Sequence, residues 1–254
     1  MRNLERAMPW LFIATVLILW ELAAVAFQVP TFLLPRPSVI AVTLVDKFEP
    51  IASNSWDTLV RTMAGFALAV VLGGALGVAI GSSRLIYRGL YPVLIGFNSV
   101  PKVAVVPVFV IWFGSGAVPA ILTAFLVSFF PISVNVATGL ATVEPELLDV
   151  LRSLGARKRQ ILLKVGLPRS LPYFFASLKI AITLAFVGTI ISETVAGSRG
   201  IGYLMMAATA NFDTPLVFAG LIVIAILGIV MYALFAVVEQ RMTFWAQRGD
   251  GLIT

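Results

Sequence analysis

The sequence contains no cysteine and no histidine. Disulfides, thiol nucleophiles, imidazole bases and the common His/Cys metal sites are excluded together. Charge is scarce: 12% of the 254 residues are charged and 60% are hydrophobic, where soluble domains run near ~25% charged. Mean hydropathy is +1.02. So much apolar surface finds an interior only in a bilayer. No Gly-x-x-x-x-Gly-Lys-Ser/Thr run exists, so this chain encodes no phosphate cradle of its own.

What is present is a series of apolar runs. Six have the length of a span, roughly 9–29, 62–83, 89–113, 117–140, 171–196 and 214–238. The first runs into Gln28-Val29-Pro30 without a small-residue cleavage site, so it reads as a span and not a signal peptide. The second carries Gly65, Gly73, Gly77 and Gly81. The last three recur at four-residue spacing on one helix face, where a second helix can approach closely, within the chain or between subunits. The segment 31–61 reads as external, with Ser38 capping a surface helix over about 39–49. No internal repeat is visible, and the chain reads as a single all-α membrane domain over 1–254.

Lysine and arginine give the orientation. The N-terminus, the 84–88 loop, the 141–170 loop and the C-terminus hold twelve of them. The alternate segments hold four: Arg36, Lys47, Arg61 and Arg199. Both termini are therefore expected in the cytoplasm, and the net charge of +6 needs no nucleic acid to explain it.

The 141–170 loop is the most informative stretch. Glu144-Pro145-Glu146 is a helix start, with Pro at the first position and an acid at the positive end of the dipole. Leu147, Leu148, Leu151 and Leu154 form an apolar stripe, and Gly155 stops the helix. A second short helix is expected over about 157–165, ended by Gly166 and Pro168. A leucine stripe facing water marks a binding surface, unless it folds back on the span ends or the lipid interface.

Asp149-Val150-Leu151, then Gly155, Val165 and Leu167-Pro168 are spaced like the Glu-Ala-Ala, Gly, Ile, Leu-Pro motif of ABC importer permeases. The first triplet keeps only the acid in kind, and Val replaces Ile. Leu34-Pro35-Arg36-Pro37-Ser38, Pro101-Lys102-Val103-Ala104 with Pro107, Ile111-Trp112-Phe113-Gly114, Glu193 and Gly200-Ile201-Gly202-Tyr203-Leu204 are similar, in order and spacing, to nitrate/sulfonate/taurine-type permeases. The resemblance implies the type I importer permease fold in a bacterial inner membrane, with two permease copies as a homodimer. It also implies a cytoplasmic ATPase dimer that brings its own ATP and Mg, and an external solute-binding protein. ATPase coupling would fall on Leu147, Leu148, Asp149, Leu151, Arg152, Gly155, Ala156, Arg157, Leu167 and Pro168.

Charges inside apolar spans are rarely idle. Lys102 follows Pro101 in mid-span, where the helix is expected to break and a cation would attract an anionic solute. Its other readings are a lysine that snorkels or pairs with an acid. Glu193, near the end of its span, reads as a gate or a structural hydrogen bond. Glu21 and Lys179 also fall in spans. Asn98, Ser128 and Asn135 complete the candidate path, with interhelical packing as the alternative for each. The rival functional class is a six-span secondary transporter or channel, which needs no helix-Gly-helix loop of this spacing. A membrane-embedded enzyme would need paired Ser/Lys or Asp/Asp groups inside spans, and no span holds two Asp.

Overall fold

The computed structural model describes residues 2–244, with residues 2–7, 10 and 84 described by backbone alone. Arg248, one of the residues behind the orientation argument, lies outside the described residues. Among the described residues eleven α-helices follow in order: α1 Arg2–Ala26, α2 Pro37–Asp46, α3 Phe48–Gly81, α4 Arg84–Asn98, α5 Val106–Phe113, α6 Ala117–Ala141, α7 Pro145–Ser153, α8 Lys158–Ile161, α9 Leu167–Ala196, α10 Ile201–Ala210 and α11 Thr214–Met242. A 3₁₀ turn, Lys102–Val105, precedes α5, and a π turn, Leu162–Gly166, joins α8 to α9. Among the described residues there is no strand.

Helices α3, α6 and α9 form the centre. Phe66 and Ala69 of α3, Ala124, Ile132 and Val136 of α6, and Ala181, Ile182 and Phe186 of α9 share one buried cluster. The glycine face of α3 makes this possible within one chain. A Cβ at Gly65 would stand 2.6 Å from Ala124 Cβ, and one at Gly81 2.7 Å from Leu140 Cβ. Backbones this close gain dispersion across the whole seam, which suits a membrane, where burial from lipid gives little. A second cluster joins Ile40 of α2 to Ile51, Ile201, Ala208, Leu216 and Ala219.

Three helices, α3, α6 and α11, and the continuous stretch Lys158–Ala210 that contains α9 have the length and hydropathy to cross a membrane. The 89–113 segment is a broken pair, Leu85–Asn98 and Lys102–Phe113, bent by 80°. Pro101 sits at the break as expected, lacking the N–H a helix would use. The first apolar segment, 9–29, falls largely within α1.

Several sequence expectations need correction. The expected second span, 62–83, begins earlier than its apolar run, since residues 48–61 are already the first turns of α3. Pro50 falls in the first turn, where a missing donor costs nothing, and no later residue interrupts the ladder. Arg61 is therefore a buried helical residue, 7% exposed. Ser38 does not cap α2. That helix starts at Pro37, and Glu21 of α1 accepts both the Ser38 N–H (3.0 Å) and its hydroxyl (2.8 Å). Nor is α2 a free surface helix, since Ile40 is buried against α10 and α11. The second loop helix does not end at Gly166 and Pro168 but runs through the π turn into α9. Pro168 has no N–H for the Lys164 carbonyl, so the ladder widens instead of stopping.

Candidate functional site

The 141–170 loop is locally stiff. Gly155 takes φ +82°, a conformation that costs other residues roughly 1–2 kcal/mol. From there the Ala156 N–H donates to the Leu151 carbonyl (3.0 Å) and the Gly155 N–H to that of Arg152 (2.9 Å), the two bonds of a Schellman cap. On the far side of the corner Gln160 accepts the Arg157 N–H at 2.8 Å. Arg169 at the start of α9 pairs with Glu144 before α7, clasping the two ends of the loop. Leu147, Leu148 and Leu151 are half-buried, so the stripe turns inward there. Leu154 departs from it: as the C-cap of α7 it is 77% exposed. Arg152 bonds Asp149 on the same helix (2.8 Å). Behind α7 lies a basin of about 740 Å³ whose lining includes Arg88, Leu148, Arg152, Lys158 and Arg159. Ala156 is half-buried, and Arg157, Leu167 and Pro168 continue the chain into α9 with Leu167–Pro168 as its first turn.

At the opposite ends of α3 and α9 a buried polar knot holds the α9–α10 corner. Glu193 is 1% exposed. It accepts from Arg61 Nη1 (3.0 Å), Thr58 Oγ1 (2.8 Å) and the Gly202 N–H (3.3 Å). Arg61 also donates to the Arg199 carbonyl (2.5 Å), Asn54 Oδ1 accepts the Gly200 N–H (2.8 Å), and Thr58 accepts the Ile201 N–H (2.9 Å). Asn54, Thr58 and Arg61 were missed in the sequence. Their i, i+4, i+7 spacing was the available signal, since it places three polar side chains on one helix face.

The third feature is a recess of about 430 Å³ lined by Asn98, Lys102, Val127, Phe130, Pro131, Val134, Asn135 and Leu184. It brings together three of the five path candidates, from α4, the 3₁₀ turn and α6. Lys102 Nζ donates to the Asn98 carbonyl and to Asn98 Oδ1 (2.7 Å). Asn135 Nδ2 donates to the Pro131 carbonyl at 2.8 Å. The other two candidates do not line the recess. Ser128 is fully buried and donates to the Ala124 carbonyl (2.7 Å), while Glu193 belongs to the knot. Among the described residues no cluster of Asp and Glu is placed to hold a metal.

Residues 65–244 match the family model described as the binding-protein-dependent transport system inner membrane component. The chain belongs to that family. It is a multi-pass inner-membrane permease component of a binding-protein-dependent ABC importer. The permease is 31% identical to the formylaminopyrimidine transport permease protein ThiX of Halalkalibacterium halodurans, over 97% of this chain and 99% of that one. It is 29% identical to the taurine transport system permease protein TauC of Escherichia coli, over 92% and 87%. A structure of the MetNI methionine ABC transporter, in an inward-facing conformation, aligns with a TM-score of 0.69 at 19% identity, covering 78% of the permease and 98% of that chain. The permease thus has the type I importer fold.

Proposed function

We propose that the permease works as one domain over 1–254, in a homodimer, and is driven through its 141–170 loop by a separate cytoplasmic ATPase dimer. The supporting observation is the loop: its motif spacing coincides with a corner braced at three points, so displacement at α7 reaches α9 without being lost in slack. Leu147, Leu148, Asp149, Leu151, Arg152, Gly155, Ala156 and Arg157 form the docking surface, and Leu167–Pro168 carry the motion into α9. The basic majority puts this loop and both termini in the cytoplasm. An external binding protein then delivers solute at the opposite end, beside the Glu193 knot. ATP and Mg belong to the ATPase, and they bias the bundle only as far as the ATPase binds one of its states more tightly. The names of the relatives, formylaminopyrimidine and taurine, point to a small organic solute.

Gly155→Val tests the joint. A β-branched residue cannot hold φ +82°, and losing roughly 1.4 kcal/mol of preference for the corner shifts its population about tenfold. With permease, ATPase and binding protein in proteoliposomes, uptake per ATP hydrolysed should fall about tenfold, while basal hydrolysis stays within twofold. Gly155→Asn, which tolerates the left-handed conformation, should keep coupling. Normal coupling in the Val variant, or uptake without any ATPase, overturns the proposal.

A further inference from the structure

We infer that the recess around Lys102 binds the anionic group of a small organic monoanion, with Lys102 supplying the charge, Asn135 a hydrogen bond, and Asn98 holding the ammonium in place. The inference rests on the permease reading and names its solute class.

Most of the charges in the spans are already answered. Arg61 is paired with Glu193, Lys179 of α9 with Glu239 of α11, and Glu21 is satisfied by the Ser38 N–H and hydroxyl. Of the charges noted in the apolar spans, Glu21 and Lys102 enter none of the ion pairs of the described residues, and of these two only Glu21 is answered by donors from another helix. It sits opposite Val127–Asn135, the middle of α6, and Leu184, near the middle of α9. Both helices have the length and hydropathy to cross a membrane, and at the middle of such helices an uncompensated cation is costly and persists mainly for function. Snorkelling does not account for it, because the ammonium folds back onto Asn98 and lines the recess.

The geometry leaves donors free for a ligand. An ammonium has three protons, and two are spent on the Asn98 oxygens. The Asn135 amide spends one of its two on the Pro131 carbonyl. One proton from each wall therefore remains for an acceptor held between them. No carboxylate lines the recess to repel an anion. The remaining lining, Val127, Phe130, Pro131, Val134 and Leu184, has apolar side chains. About 430 Å³ with such walls falls in the range of small-molecule sites and exceeds what a bare inorganic ion fills. The fit is a carboxylate or sulfonate carrying a compact apolar body.

The test uses the assembled permease–ATPase complex in nanodiscs, titrated calorimetrically with 1-propanesulfonate and with the neutral 1-propanesulfonamide. The sulfonate should bind the wild type at least tenfold more tightly than the sulfonamide. Lys102→Gln should weaken sulfonate binding at least tenfold and leave the sulfonamide unchanged. Lys102→Arg should retain most of the affinity, and Asn135→Leu should lose several-fold. Absent sulfonate binding to the wild type, equal binding by Lys102→Gln, or equal affinity for the neutral probe overturns the inference. A complex that couples ATP to uptake but binds no sulfonate leaves the permease reading standing. Sulfonate binding without any coupling does the reverse.

Discussion

Arg61→Ala should cost about 3–5 kcal/mol of stability, as removal of one partner from a buried ion pair does. The Arg61 and Glu193 side chains are 9% and 0% exposed. Truncating Arg61 strands a carboxylate with only Thr58 and the Gly202 N–H for support. The loss spreads, because Arg61 also holds the Arg199 carbonyl and thereby the corner before α10. Unfolding in mixed detergent micelles would show it, together with cleavage by protease in the 197–200 corner. Glu193→Leu should cost a similar amount by stranding the arginine. The double variant, Arg61→Met with Glu193→Leu, should recover most of it, since an apolar pair of similar volume replaces both charges. Single variants within about 1 kcal/mol of wild type would mean that water reaches the pair and the knot holds little.

Gly77→Ala should destabilise by about 1–3 kcal/mol, the usual penalty for overpacking. Its Cβ would stand 2.6 Å from Val136 Cβ and 2.7 Å from the Ser133 carbonyl, and backbone cannot swing aside as a flexible side chain does. Helices α3 and α6 must part along the seam. Gly74 supplies the control on the same helix, because a Cβ there meets nothing within 4 Å. Gly74→Ala should be neutral or gain up to about 1 kcal/mol by restricting the unfolded chain. Thermal unfolding of the two variants side by side decides between packing and helix propensity. If both move the midpoint alike, the seam is not what the glycines serve.

Much of this molecule was legible in its sequence because lipid imposes length and glycine imposes contact. The seam of Gly65, Gly73, Gly77 and Gly81, the break at Pro101 and the corner at Gly155 each follow from local chemistry that tertiary structure did not override. The errors share a cause. Thr58 and Arg61 face an acid 135 and 132 positions later in the chain, Asn54 accepts the Gly200 N–H 146 positions later, and such pairing leaves no local trace. The short helix α10 was missed because ten apolar residues between a glycine corner and Asp213 are too few to read as a span. At the candidate site, Asn98, Lys102 and Asn135 could be named singly. That they share a recess depends on the 80° bend between α4 and α5, an angle no sequence pattern states.

The π turn at Leu162–Gly166 has one more consequence. It holds one residue more than an α-turn needs, and each residue of an α-helix advances the azimuth by about 100°. The loop and α9 are thus out of phase, by about that angle, with where a single unbroken α-helix would put them, and Pro168, lacking an N–H, keeps the offset from being drawn back into the regular ladder.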